Sequence, residues 1–171
     1  MNYGRINTTD IANGLGVRVS LFVSGCRHHC KGCFNPETWN FNYGDKYTSE
    51  TEDYILNAVS KSYISGITLL GGDPFEPENQ KDLLDLLIKV RKIKGKDVWC
   101  YTGYAYEGIM SPNSIIRTPY TMDLLNSIDV LVDGEFIEGL KDITLKFKGS
   151  SNQRVIDVKE SLKSNEIAIY L

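Results

Sequence analysis

Short apolar runs alternate with amphipathic segments along the chain. Residues 17–24 are rich in β-branched and aromatic side chains and stop at Gly25, which is the pattern of a strand. Residues 66–70 are continuously apolar, which is typical of a strand buried on both faces, and a Gly-Gly-Asp-Pro turn follows them. Residues 97–102 and 128–132 repeat the strand signal. The pattern therefore predicts four strands.

Helical periodicity fills the segments between these strands. Residues 49–52 have the Ser-x-x-Glu sequence of a capping box and open a predicted helix that runs to Ser62. Residues 78–93 carry a wide apolar face, and Thr118 followed by Pro119 predicts the start of a third helix. The βαβαβαβ order is typical of an α/β fold in which helices cover a parallel sheet and the functional loops lie at the carboxyl ends of the strands.

The composition is that of an ordinary globular domain. The chain has 171 residues, 42% of them hydrophobic and 24% charged, and a chain of this length can bury a full core without disulfides. The net charge is −3 with mixed signs and no basic block, which argues against nucleic acid as a partner. No apolar stretch approaches the roughly 18 residues of a membrane span, and the N-terminus lacks the pattern of a signal peptide. We expect a single cytoplasmic domain over residues 1–171.

Three of the four cysteines lie in one loop directly after the first predicted strand. Cys26, Cys30 and Cys33 have the spacing C-x3-C-x2-C, which lets a tight loop turn three thiolates toward one point, as iron–sulfur ligation requires. A 4Fe-4S cube held by three thiolates leaves one iron without a protein ligand. An open coordination position separates a metal that binds substrate from a structural metal, so the spacing favours a reactive cluster.

Two other interpretations of the same cysteines stay open. Zinc could recruit His28, His29 or the distant Cys100 as its fourth ligand. Cys30 and Cys33 could instead form a redox pair. The chain lacks the second C-x2-C pair of a zinc ribbon, and a thiol pair leaves the first cysteine without a role. Cys100 lies between two aromatic residues in a predicted strand, so we expect it to be a buried, inert thiol.

The turn after the second predicted strand is a second candidate site, formed by Gly71, Gly72, Asp73 and Pro74. Two glycines can serve only to turn the chain, or they can let a ligand approach the backbone closely. Exposed carbonyls beside a carboxyl group suit a ligand that carries an ammonium group, such as the amino end of an amino acid.

The C-x3-C-x2-C loop after the first strand and the Gly-Gly-acid-Pro turn after the second resemble the radical S-adenosylmethionine superfamily. The resemblance implies two cofactors, a 4Fe-4S cluster ligated by the three loop cysteines and S-adenosylmethionine bound at its open iron. The residues that would border the methionine end of S-adenosylmethionine are Gly71, Gly72, Asp73 and Pro74. The residues that would border it on the side of the cysteine loop are Gly32, Cys33 and Phe34, with Phe34 as the adenine contact.

Further segments are similar to one family within that superfamily, the activating proteins of anaerobic ribonucleoside-triphosphate reductases. These segments are VSGCRHHCKGCFNPETW, GGDPF, WCYTGY, VLVDGEF and GSSNQR, and they define a core from about residue 13 to residue 157. Residues 158–171 then form a C-terminal extension. The resemblance implies reductive cleavage of S-adenosylmethionine and removal of a hydrogen atom from a glycine Cα of the reductase. The implied partners are the reductase and a low-potential electron donor.

The resemblance also implies an open partial (βα) barrel, because a closed eight-stranded α/β barrel needs roughly 250 residues. The gap in such a barrel could admit a peptide loop. Two alternative functions are activation of a different glycyl-radical enzyme and a zinc-binding interaction module. Asp133, after the fourth strand, is either a cofactor-binding or a turn residue, and Arg154 either meets the partner or lies in a solvated turn.

Overall fold

The computed structural model describes residues 1–171 and is built around one eight-stranded sheet. The strands are β1 (Asn2–Asp10), β2 (Arg18–Val23), β3 (Asp45–Lys46), β4 (Gly66–Gly71), β5 (Asp97–Tyr101), β6 (Val130–Asp133), β7 (Arg154–Asp157) and β8 (Ala168–Ile169). Their order across the sheet is β3-β1-β2-β4-β5-β6-β7-β8. The sheet is open, because β3 and β8 each have a single neighbour.

The four central strands are parallel, as the alternation of strands and helices predicted. β2 pairs with β4 in register from Arg18↔Gly66 to Val23↔Gly71, and β5 and β6 continue in the same direction. The carboxyl ends of these strands therefore lie along one edge of the sheet, where ligand sites of α/β folds form. The cysteine loop leaves β2 and the Gly-Gly-Asp-Pro turn leaves β4 at this edge.

The outer strands, which the sequence patterns did not predict, make the sheet mostly rather than wholly parallel. β1 and β3 on one side, and β7 and β8 on the other, pair antiparallel. Residues 11–17 join β1 to β2, and so short a link cannot make a parallel crossover, which takes a dozen or more residues. The polar sequence of β1, NYGRINTTD, is mostly half-buried and lacks apolar alternation, so the sequence carried no signal for it.

Five α-helices accompany the sheet: α1 (Ser49–Val59), α2 (Pro77–Val90), α3 (Tyr106–Met110), α4 (Thr121–Asn126) and α5 (Val158–Ser164). The capping box of α1 joins Thr48 to Thr51, so the predicted box was one residue late. α4 begins after the predicted Thr118, whose hydroxyl accepts a hydrogen bond from the Tyr120 amide at 3.0 Å. No helix is both long and apolar enough to cross a bilayer.

The helices cover only one face of the sheet, so two cores result. On the helix side 25 buried residues form a continuous core, whereas on the opposite face Trp99 packs with three valines. Because side chains alternate between the faces of a strand, Cys100 lies in the helix-side core while Trp99 and Tyr101 face the other way. Burial raises the pKa of Cys100 well above its usual value. The prediction of a buried Cys100 is confirmed.

Candidate functional site

The three loop cysteines line one cavity of about 490 Å³. Cys26, Cys30 and Cys33 are free, half-buried thiols. Phe22 of β2 and Tyr101 of β5 line the same cavity, which places it on the sheet face away from the main helical core. The spacing in the sequence therefore corresponds to three thiols that face one common space.

The start of the cysteine loop is held by backbone hydrogen bonds. Gly25 turns the chain out of β2 with a φ of 101°, a conformation that favours glycine. Its amide donates to the Thr38 carbonyl at 2.7 Å, and the amide of Cys26 donates to the Trp39 carbonyl at 3.3 Å. Both acceptors lie in a short 3-10 helix, Pro36–Trp39, so the first cysteine is positioned by residues that follow the loop.

The Gly71-Gly72 turn packs directly against this loop. The amide of Gly72 donates to the Val23 carbonyl at 2.7 Å, and the amide of Asp73 donates to the Gly25 carbonyl at 2.8 Å. A Cβ on Gly72 would lie 2.5 Å from the Gly25 carbonyl oxygen, so a larger residue would push the two backbones apart. Both glycines also line the cavity. Gly72 must therefore lack a side chain so that the turn after β4 can contact the backbone of the cysteine loop. The sequence patterns did not predict this role.

The carboxylate of Asp73 is 1% exposed and engages several donors of this chain. Its Oδ1 atom accepts from the Phe75 amide at 2.9 Å and from the Thr102 hydroxyl at 2.8 Å, and Oδ2 accepts from the Gly103 amide at 2.9 Å. Asp73 therefore ties the turn after β4 to the end of β5 while it lines the cavity. Pro74 is buried and is not among the residues that line the cavity.

His28, within the cysteine loop, lies between two acids. Its Nε2 atom is 3.2 Å from Oδ2 of Asp73, and its Nδ1 atom is 2.8 Å from Oε1 of Glu135. Burial would lower the pKa of His28, but the two carboxylates raise it to about 9. The ring also packs on Tyr104, with centroids 4.3 Å apart. His28 is therefore charged at neutral pH and links the loop to two other segments, and sequence spacing gave no signal for this role.

The surroundings keep two of the free thiols protonated. Burial, together with the nearby Asp73 carboxylate, raises the pKa of Cys26 to about 12, and burial raises the pKa of Cys30. Thiolates are the form that binds metals, so a metal bound at these positions would have to displace protons from the thiols.

The side chains fit a cluster better than a single zinc ion. No three His, Cys, Asp or Glu side chains converge closely enough to hold one metal ion. Two candidates for a fourth zinc ligand are used elsewhere, since both ring nitrogens of His28 face carboxylates and Cys100 belongs to the helix-side core. The His29 ring stacks on Trp39, with ring centroids 4.5 Å apart. Three thiols around a cavity of this size suit a multi-iron cluster, which spreads its ligands farther apart than one ion does.

Phe34 and Gly32 were both expected beside the cofactor, but only Phe34 lines the cavity. Phe34 lines the cavity and is 61% exposed, and its ring centroid lies 5.0 Å from that of Phe136. Gly32 is exposed, has a φ of 75° and does not line the cavity. Gly32 thus turns the chain between the second and third cysteines.

Part of the remaining cavity wall comes from residues outside the segments quoted from the sequence, and Tyr101 of the WCYTGY segment lines the cavity as well. Arg5 lies on the outer strand β1 with its guanidinium carbon 4.1 Å from the centroid of the Phe22 ring, and Asn13 and Lys148 also line the cavity. The hydroxyl of Tyr101 is buried there without a hydrogen-bond partner. No periodicity or motif spacing connects these positions, so only the folded chain brings them together.

Comparison with known proteins agrees with this geometry. A family model described as a 4Fe-4S single cluster domain matches residues 12–156. The anaerobic ribonucleoside-triphosphate reductase-activating protein of Escherichia coli (strain K12) is 43% identical over 158 residues, which cover 91% of this chain and 97% of that protein. The protein of the same name from Enterobacteria phage T4 is 40% identical over 156 residues, which cover 91% of this chain and 93% of that protein. The chain belongs to the family of anaerobic ribonucleoside-triphosphate reductase-activating proteins.

In this member of the activating-protein family, the GSSNQR segment holds the β6–β7 connection (residues 134–153) in place. The Gln153 side-chain nitrogen donates to the Gly134 carbonyl at 2.9 Å, and the Asn152 side chain donates to the Glu135 carbonyl at 2.8 Å. These bonds join the two ends of the connection, so the segment recognised in the sequence serves to fix a loop beside the cavity.

Arg154 and Asp133, whose roles the sequence left open, form an ion pair. Arg154 Nε donates to Asp133 Oδ1 at 3.0 Å, and its terminal nitrogens donate to Glu107 at 3.0 and 2.8 Å. Asp133 is 1% exposed and also accepts from the Tyr106 amide at 2.7 Å. The pair therefore connects β6, β7 and α3 and is not a cavity-lining group.

Proposed function

We propose that this chain cleaves S-adenosylmethionine reductively at a 4Fe-4S cluster and generates a glycyl radical on an anaerobic ribonucleoside-triphosphate reductase. The observation that carries the proposal is the placement of three free thiols and the Gly71-Gly72 turn around one cavity, in a chain of the reductase-activating family. When bound, the cluster would supply the electron that splits the sulfonium into methionine and a 5′-deoxyadenosyl radical, which takes one hydrogen atom from a glycine Cα.

The proposed ligands of the cluster are Cys26, Cys30 and Cys33. Phe22 and Tyr101 line the same cavity as the three thiols, and the second cofactor would occupy the part of it that the cluster leaves free. Three protein ligands on a four-iron cube keep one coordination position for S-adenosylmethionine, which would be the chelating group.

The residues proposed to border the methionine end are Gly71, Gly72, Asp73 and Pro74. The two glycines line the cavity with no side chain between their backbone and a ligand. Because the Asp73 carboxylate already accepts from Thr102 and the Gly103 amide, its proposed contribution is to hold the turn and to add negative charge near an ammonium group. Pro74 would support the turn from its buried position.

The remaining proposed contacts are Gly32, Cys33 and Phe34 of the cysteine loop, of which Cys33 and Phe34 line the cavity. The Phe34 side chain lines the cavity and is 61% exposed, and an adenine would stack on its ring. Apolar side chains of Phe22, Leu70 and Phe147 form much of the wall, and such a wall excludes water from a reactive radical.

We infer that the open sheet is a partial (βα) barrel of the radical S-adenosylmethionine type, formed by a single domain over residues 1–171. The four parallel strands with helices on one face and the cavity on the other support this inference. Residues 13–157 would form its core and residues 158–171 an extension. A low-potential electron donor is the second partner that the reaction needs.

The test is anaerobic reconstitution with iron and sulfide, followed by reduction in the presence of S-adenosylmethionine with and without the reductase. We expect four irons per chain, formation of 5′-deoxyadenosine, and a glycyl radical signal in electron paramagnetic resonance only when the reductase is present. Cys26→Ala should abolish all three results, whereas Cys100→Ala should retain them, because Cys100 lies in the helix-side core.

Two results would contradict the proposal. A colourless protein that binds one zinc ion per chain would identify an interaction module. Activity that survives iron chelation and needs Cys30 and Cys33 but not Cys26 would identify a dithiol reductase.

A further inference from the structure

The β6–β7 connection is unusual for a compact α/β fold. It spans about 20 residues, longer than the roughly 12–15 beyond which a connection without its own regular structure is usually functional or disordered. Its one regular element is a 3-10 turn, Glu138–Leu140. Three of its apolar side chains, Phe136, Leu145 and Phe147, line the cavity beside the cysteines.

Hydrogen bonds fix the connection at several points. The Ser150 hydroxyl accepts from the Ile137 amide at 3.2 Å, and the Ser151 amide donates to the Leu140 carbonyl at 2.9 Å. The Gln153 side chain also accepts from the Gly149 amide at 2.9 Å. These hydrogen bonds join the first half of the connection to its second half. They add to the two bonds that join its ends.

The outward side of this fixed connection carries large apolar side chains that the chain itself does not cover. Ile137 is 45% exposed, Leu140 43% and Ile143 91%. The nearby charges of Lys31 and Glu138 compensate each other, because Lys31 Nζ lies 3.6 Å from Glu138 Oε2. A fixed segment that exposes several apolar side chains is a pre-organised contact surface, which loses little conformational entropy on binding.

The occupant of this surface follows from the geometry of the proposed reaction. Hydrogen removal from a glycine Cα requires that backbone of the reductase enter the cavity. Phe34 of the cysteine loop is 61% exposed and lines that cavity, as does the β6–β7 connection, whose Phe136 ring contacts the Phe34 ring. A reductase bound in a productive position must therefore lie against the connection.

We propose that the exposed apolar side chains Ile137, Leu140 and Ile143 form the docking surface for the reductase, an inference that rests on the proposed function. Inward side chains of the same connection line the cavity, so docking and access to the cavity share one fixed segment. A few well-packed side chains near the centre of an interface contribute most of its binding energy, and the surrounding contacts mainly exclude water.

The test compares Leu140→Ser/Ile143→Ser with the control Ile115→Ser in the reconstituted enzyme. Ile115 is 87% exposed and lies between α3 and α4, away from the connection. We expect the double variant to weaken binding to the reductase by about tenfold or more, measured by sedimentation or interferometry, and to lower the glycyl radical yield. Reductase-independent formation of 5′-deoxyadenosine should stay within about twofold of wild type, because neither residue lines the cavity.

A second measurement does not depend on the variants. Amide hydrogen exchange of the wild-type enzyme should slow at residues 137–145 when the reductase is added, and exchange at residues 111–116 should not change. Wild-type affinity in the double variant, or unchanged exchange at residues 137–145 in a complex that does form, would overturn the docking surface. Failure of the wild-type enzyme to cleave S-adenosylmethionine would instead count against the proposed function.

Discussion

His28 Nε2 lies 3.2 Å from Asp73 Oδ2, which couples the cysteine loop after β2 to the glycine turn after β4. Gly103 leaves room for this contact, because a Cβ there would lie 2.5 Å from His28 Cδ2. Two segments far apart in the sequence are thus positioned around one cavity by a charge pair as well as by backbone hydrogen bonds. The relationship makes Asp73 a residue whose replacement affects the whole site.

Replacing Asp73 by Asn should destabilise the protein by about 3 kcal/mol, because a buried acceptor of several hydrogen bonds becomes an amide with one acceptor oxygen. Denaturant unfolding of the iron-free protein measures the change. Asp53→Asn is the control, since Asp53 is exposed and makes no side-chain hydrogen bond, and its stability should stay within about 0.5 kcal/mol of wild type. Equal stabilities of the two variants would show that Asp73 does not hold the turn.

Gly72→Ala should lower the free energy of unfolding by about 1–3 kcal/mol, because the added Cβ meets the Gly25 carbonyl and separates the turn from the cysteine loop. We also expect lower iron content after reconstitution. Gly108→Ala in α3 is the matched change, since a Cβ there meets nothing within 4 Å, and it should be neutral or stabilising. Thermal unfolding and iron analysis of both variants check the prediction, and a fully iron-loaded Gly72→Ala protein of normal stability would contradict it.

Arg154→Met should destabilise the protein by about 3 kcal/mol, because it leaves the Asp133 carboxylate buried without its charged partner. Adding Asp133→Asn to this variant should restore part of the lost stability, since the buried charge is then removed as well. The unfolding free energies of the two single variants and the double variant form a cycle that measures the coupling. Additive effects would show that the two side chains do not interact.

The Glu107–Arg154 pair makes stability depend on acidity. Hydrogen bonding to Arg154 lowers the pKa of Glu107 from 4.5 to about 2. The contribution of the pair to the free energy of unfolding is therefore fully present above pH 4.5 and is lost as the pH falls through about 2. Because the Glu107 side chain is 61% exposed, solvent screens the pair and the contribution stays below about 1 kcal/mol.

Glu107→Gln tests this dependence in the iron-free protein by denaturant unfolding. The difference from wild type should be largest near neutral pH and should shrink between pH 4.5 and pH 2. Glu166→Gln, at an exposed carboxylate without an ion pair, should show no such trend. If the difference in unfolding free energy between wild type and Glu107→Gln grew as the pH fell, the prediction would be wrong.

Phe34→Ala should weaken binding of S-adenosylmethionine to the reconstituted protein by about tenfold, if the ring stacks on the adenine as proposed. The folded chain should lose little stability, because Phe34 is 61% exposed. Tyr63→Ala removes a ring of similar exposure, 63%, and should bind the cofactor normally. Equilibrium dialysis under anoxic conditions measures both affinities, and an unchanged affinity in Phe34→Ala would place the adenine elsewhere.

Local patterns predicted the central strands and the larger helices well. Residues 66–70 contain no charged side chain and a single hydroxyl, that of Thr68, which is why a buried parallel strand followed from them directly. The outer strands escaped prediction because a half-exposed strand such as β1 is defined by its partners rather than by its own apolar pattern.

The sequence by itself determined that three thiols would face one space and that a glycine turn would lie beside them. The first consequence is local to one loop. The second follows from the predicted parallel pairing of two neighbouring buried strands, whose carboxyl ends meet at one edge of the sheet. Only the tertiary structure decided that Asp73 is engaged by Thr102, Gly103 and His28, and that the GSSNQR segment fixes the β6–β7 connection. These contacts join segments far apart in the chain, and their approach is set by the packing of the whole sheet.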